Sequence, residues 1–133
     1  VRGYLSRPLD LEEEIRNDID HIASLRSIVE STTTKLSLTA GRNPSRDAKA
    51  FETVMLQIAE EEAGLQQKYI RLAELKHENE ELISKLRNPK YRCVLRMYYN
   101  GGLSWQEIAR RLNVTRSNVG YLKRTALKQL ESI

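Results

Sequence analysis

The sequence predicts an all-α fold: a long helical hairpin or coiled coil followed by a small helix-turn-helix domain. Three observations carry this expectation. The chain has 30% charged residues and 6% aromatics with only three prolines in 133 residues. Its first two thirds space apolar residues by three and four, and its last third holds two capped helical stretches joined by a short turn.

The first helix is expected to start at Asp10, a good N-cap, with Glu12, Glu13 and Glu14 at the positive end of the helix dipole. Leu11, Ile15, Ile19, Ile22, Leu25 and Val29 then form one apolar stripe, which should fade through Thr32, Thr33 and Thr34. A connector with glycine and proline follows around residues 38–47.

The second helix should run from Ser45 or Asp47 to Arg87, since that interval holds no proline and one glycine, Gly64. Phe51, Ile58, Leu65, Leu72, Asn79 and Leu86 recur by sevens, with Val54, Leu75 and Leu82 three residues after their partners, which makes a heptad seam. Glu61 and Lys68 interrupt it. Asn79 reads either as a polar seam residue that fixes register and oligomer number or as a solvent-facing residue near a fraying end. An apolar stripe of this length must be buried to be stable. The first helix can fold back over residues 50–72, which leaves Leu72 to Leu86 uncovered and predicts a homodimer through the long helices.

Asn88-Pro89 is the expected boundary, dividing the chain into residues 1–88, for oligomerisation, and 89–133. The charge divides there too. Residues 89–133 carry nine basic and two acidic side chains, a net +7, against a whole-chain charge of +4. A field concentrated on so short a stretch points to a polyanionic partner.

Within that stretch Pro89 opens a helix whose apolar face is Tyr91, Val94, Leu95 and Tyr98, and Asn100-Gly101-Gly102 stops it. Ser104-Trp105-Gln106-Glu107 has the form of a capping box, with Ile108, Ala109 and Leu112 as the buried face. Asn113-Val114 leads to Thr115, a second N-cap, and to a final helix. Plotted at 100° per residue, that helix puts Val119, Leu122, Ala126 and Leu130 on one side and Ser117, Tyr121, Arg124 and Lys128 on the other. The outward side suits a helix lying in a major groove. Arg116 suits guanine or a phosphate, Asn118 suits adenine, and Ser117 suits several base edges. Lys123, Arg124 and Lys128 suit phosphates, and Arg110 and Arg111 on the preceding helix suit the flanking backbone.

The stretch YRCVLRMYYNGGLSWQEIARRLNVTRSNVGYLKRTALKQL resembles the C-terminal DNA-binding domain of bacterial sigma factors, most specifically in LSWQEIARRLNVTRSNV and the closing ALKQL. The resemblance implies that Arg116, Ser117, Asn118, Tyr121 and Arg124 face DNA. Primary sigma factors usually carry glutamate and glutamine where Ser117 and Tyr121 stand, so it does not extend to reading the ordinary promoter element. Nothing before Pro89 resembles a promoter-melting domain. The architecture resembles small phage and prophage transcriptional regulators of late genes.

Catalysis finds no support. His21 and His77 lie on separate helices without metal-ligand spacing, Cys93 beside an apolar stripe has no activating base, and no glycine loop cradles phosphate. No enzyme activity, cofactor or metal is expected. A single cysteine excludes an internal disulfide and favours a cytoplasmic location. No apolar run approaches the roughly 18 residues of a membrane span. The opening VRGYLSRPLDLEEE lacks the apolar stretch of a secretory signal, and Val1 in place of an initiator methionine points to residues removed or lying upstream.

The function expected is that of a sequence-specific, dimeric transcriptional regulator that binds double-stranded DNA. The alternatives are the small subunit of a phage DNA-packaging terminase and an adaptor that binds RNA polymerase.

Overall fold

The computed structural model describes residues 1–38 and 44–133. These residues form α1 (Arg2–Leu38), α2 (Pro44–Ile83), α3 (Pro89–Leu95), α4 (Trp105–Leu112) and α5 (Arg116–Glu131). Arg96–Asn100 prolong α3 as a π-helical turn, and no strand occurs among the described residues. None of these helices is long and apolar enough to cross a membrane. The chain divides into two compact units, one of Val1–Glu12 with Arg71–Ile133 and the other of Glu13–Ile70. The unit that holds residues 89–133 therefore also takes in the start of α1 and the end of α2.

α1 begins eight residues before the expected cap, so Asp10 is an exposed residue inside a helix. Pro8 also lies inside it and is fully buried. A proline brings no amide to the carbonyl four residues earlier. Here the Arg7 Nε donates to that Tyr4 carbonyl at 3.0 Å, which keeps it satisfied. At the other end α1 continues through the threonines to Leu38. The Thr33 and Thr34 hydroxyls donate back to the carbonyls of Val29 and Glu30 at 2.9 and 3.0 Å, a pattern that threonine adopts within helices. Residues 39–43 of the expected connector lie outside the described residues. α2 starts at Pro44, the residue type that suits a first helical position.

In the unit Glu13–Ile70 the two long helices pack antiparallel around Ile22, Leu25 and Ile58, with Val29, Val54 and Leu65 against them. The two seam interruptions meet polar partners on α1. The Lys68 Nζ lies 2.9 Å from Glu14 and 2.5 Å from Asp18, and His21 meets Glu61 at 3.1 Å. Hydrogen bonds to Asp18 and Glu14 hold the Lys68 ammonium above the usual lysine range. Arg26 pairs with Glu62. Ile19 departs from the expected stripe and is 43% exposed.

In the other unit α2 ends at Ile83 rather than Arg87. Ending there turns Leu86 into a core with Leu5, Ile83, Leu95, Tyr99, Ala126, Leu127 and Leu130. The Arg92 guanidinium donates to the carbonyls of Leu86 and Arg87 at 2.7 and 2.9 Å, which satisfies backbone that the helix no longer serves. Leu75, Asn79, Ile83 and Leu86 are all buried within the one chain. The stretch expected to lack an internal neighbour therefore has one, because α1 starts earlier than its stripe indicates.

Asn79 is neither solvent-facing nor a seam residue awaiting a second copy. It is fully buried, and its Nδ2 donates to the Leu5 carbonyl at 2.9 Å and to the Asn100 Oδ1 at 3.1 Å. The Asn100 Nδ2 donates in turn to the Lys76 carbonyl at 3.0 Å. One amide thus ties α1, α2 and the π-helical turn together. Asn79→Ala strands buried acceptors and is expected to lower stability by about 1–3 kcal/mol in urea unfolding. A loss within a few tenths of that scale's zero would contradict the role given to this amide.

Candidate nucleic-acid interface

The site is built by local caps before packing acts on it. Asn88 caps α3 by accepting from the Lys90 amide at 2.9 Å, with Pro89 behind it in the first turn. The π-helical turn ends at Gly101 and Gly102. A Cβ at Gly101 would lie 2.7 Å from the Met97 carbonyl oxygen, and Gly102 has φ +65°, so both positions require glycine.

Ser104 caps α4, its Oγ accepting from the Glu107 amide at 3.2 Å. The return half of the expected box is not made. Glu107 instead accepts from Arg110 at 2.8 Å, one turn along its own helix. α4 stops at Asn113, which takes the left-handed conformation with φ 55° and ψ 47°. The Val114 amide donates to the Ala109 carbonyl at 3.0 Å, closing the helix end. Thr115 then caps α5, its Oγ1 accepting from the Asn118 amide at 3.1 Å.

Packing sets the rotation of α5. Ile108 and Ala109 of α4 meet Val119 and Leu122 of α5 and Val94 of α3 in one buried cluster, with Trp105, Leu112 and Val114 at its border. Ala126, Leu127 and Leu130 bury the rest of the same side. The opposite side therefore faces out: Ser117, Tyr121, Arg124 and Lys128 are exposed, Tyr121 by 56%. Arg116 and Asn118 are exposed beside them, and so are Thr115, Arg110 and Arg111 on the approach. All the residues expected of an outward stripe are brought to one surface.

Lys123 is the exception among the expected phosphate ligands. It is half-buried next to Tyr98 and Trp105, whose rings stack with centroids 4.1 Å apart and planes 13° apart. Its Nζ lies 4.6 Å from the first centroid and 4.4 Å from the second, alongside the stack. Burial first, and the neighbouring Arg2 guanidinium second, hold this ammonium below the usual lysine range. Arg2, from the first turn of α1, joins Arg116, Lys123, Arg124 and Lys128 in the wall of a cleft of about 510 Å³. Sequence reasoning had no means of placing Arg2 there, since its only signal was the basic character of the opening residues.

Several cations of the same unit that lie away from this surface are paired with carboxylates. Arg7 pairs with Glu78, Lys76 with Glu12 and Arg96 with Glu80. Among the described residues no ion pair involves Arg2, Arg111, Arg116, Lys123, Arg124 or Lys128. The α2 histidine and the cysteine lie elsewhere. His77 meets Glu81 at 3.0 Å on the surface of α2, and Cys93 is half-buried in α3.

The family model described as Sigma-70, region 4 matches residues 80–130. The match runs from the last residues of α2 through the π-helical turn, α4 and α5, and so covers the elements described above. No curated protein and no solved structure matches the chain.

The left-handed Asn113 gives the turn a direct check. Asn113→Val is expected to lower stability by about 1–2 kcal/mol, because a side-chain Cβ is unfavourable in that conformation and a branched one more so. Asn113→Gly is expected to hold or raise it. Equal losses from both in urea unfolding would contradict the turn geometry.

Proposed function

We propose, from a C-terminal part that is a helix-turn-helix of the sigma-70 region 4 type, that the chain is a sequence-specific DNA-binding regulator of transcription. α5 is its recognition helix and lies in the major groove. The observation that carries this reading is the single exposed stripe of α5, on which cations without carboxylate partners adjoin short polar side chains.

The roles follow from side-chain chemistry. Asn118 pairs with adenine through its amide, Arg116 with guanine or a phosphate, and Ser117 with whichever edge its hydroxyl meets. Tyr121 packs against the groove between them. Arg124 and Lys128 neutralise phosphates along the same strand, and Arg111, with Arg110 when it leaves Glu107, holds the backbone beside α4. Thr115 sets the entry angle as the cap of α5 and keeps a hydroxyl proton to donate.

A helical N-terminal part joined to this domain supports a regulator of the phage or prophage kind. The match to a sigma-factor region also favours contact with RNA polymerase while the domain is on DNA. One reading head per chain is sufficient for this function.

Selection of bound sequences from a random duplex pool is expected to return a defined motif. With four basic residues on phosphates, the logarithm of affinity should fall with the logarithm of salt at a slope of roughly −4. Arg124→Ala and Lys128→Ala should each reduce that slope. Asn118→Ala should mainly relax the preferred motif, and an equal loss on every sequence would contradict its assignment to a base edge. Failure to bind any duplex at low salt would overturn the reading.

A further inference from the structure

The cleft beside the outward stripe of α5 has properties that its own fold does not explain. Five cations, Arg2, Arg116, Lys123, Arg124 and Lys128, stand in its wall against one carboxylate, Glu131. Arg2 and Lys123 are near enough for the guanidinium to oppose charge on the ammonium, which burial already disfavours. Like charges gathered around a half-buried ammonium oppose one another, and an anion that joins them relieves this. Arg7, Lys76 and Arg96 of the same unit have carboxylate partners, whereas among the described residues none of the five cations of the cleft has one.

Gly120 is a second and independent sign. It occupies the interior of α5 without a left-handed backbone, and a Cβ there would meet nothing nearer than an Arg124 nitrogen at 3.6 Å. Alanine would fit and would favour the helix. A glycine that neither the backbone nor the packing requires, set in the wall of a cationic cleft, fits the close approach of a ligand.

We propose that this cleft seats one backbone phosphate of duplex DNA, with Arg2 and Lys123 as its ligands and Gly120 leaving room for it. The first turn of α1 is then part of the DNA interface, although it lies far outside the matched residues 80–130. The inference rests on α5 being the recognition helix. It favours a duplex phosphate over a free one because Arg116, Arg124 and Lys128 belong both to the cleft and to the surface that faces the groove. A phosphate there accepts hydrogen bonds from the guanidinium and the ammonium and relieves their repulsion.

The test uses the full chain and the duplex that it selects. Arg2→Ala and Lys123→Met are each expected to weaken binding alike on all sequences, to reduce the salt slope by up to about 0.9, the share of the one phosphate that they hold between them, and to leave the motif unchanged. Gly120→Ala is expected to raise the melting temperature while weakening binding, opposite movements that a purely structural glycine would not produce. A neutral methylphosphonate at the seated position should weaken binding by the wild-type chain more than binding by the Arg2→Ala chain, and have no further effect on a chain that carries both Arg2→Ala and Lys123→Met. If the wild-type chain selects a motif while the folded Arg2→Ala and Lys123→Met chains keep its affinity and slope, the cleft proposal falls and the recognition helix stands. If the wild-type chain selects no duplex, both fall.

Discussion

The rotation of α5 about its own axis is the constraint on which the rest depends. It is set by a small apolar contact, in which Ile108 and Ala109 of α4 and Val94 of α3 close over Val119 and Leu122. With those side chains inside, Ser117, Tyr121, Arg124 and Lys128 have only one direction left to them. The surface is thus a consequence of the core. The turn that feeds it is equally constrained, since a left-handed Asn113 and the Thr115 cap fix where α5 begins and hence which residues occupy its first turn.

Charge is divided by the same architecture. Several acidic residues of α1 and α2 pair with cations within their own compact units, as with Lys68 between Glu14 and Asp18 and Arg96 against Glu80. α5 receives none of them, and its cations remain available to a polyanion. Net charge alone would have hidden this, because a chain of +4 in total holds a region of +7. Phosphate affinity follows the local field, so the division matters more than the sum.

The C-terminal elements were legible in the sequence because their signals are local. Asn88-Pro89, Ser104, Asn113 and Thr115 each act within a turn or two of themselves, and the apolar period of α5 needs no knowledge of its neighbours. The start of α1 was not legible. Pro8 reads as a barrier, and only burial of Leu5 and Pro8, with Arg7 serving the Tyr4 carbonyl, makes a helix through it favourable. That hidden turn is what meets Asn79 and Ile83, so Asn79 read either as a seam residue or as a solvent-facing one when its partners were Leu5 and Asn100. The half-burial of Lys123 was hidden for the same reason. Its spacing is that of a surface cation, but Tyr98 and Trp105 draw it in from elements distant in sequence.

The central claim is that α5 occupies a major groove, and guanine N7 lies only there. Dimethyl sulfate methylation of guanine N7, on the duplex that the chain selects, therefore tests it most directly. Guanines within the motif should be protected, and protection should be lost at an individual guanine when Arg116 is replaced by alanine. Unprotected N7 positions throughout a tightly bound site, with adenine N3 in the minor groove protected instead, would contradict it.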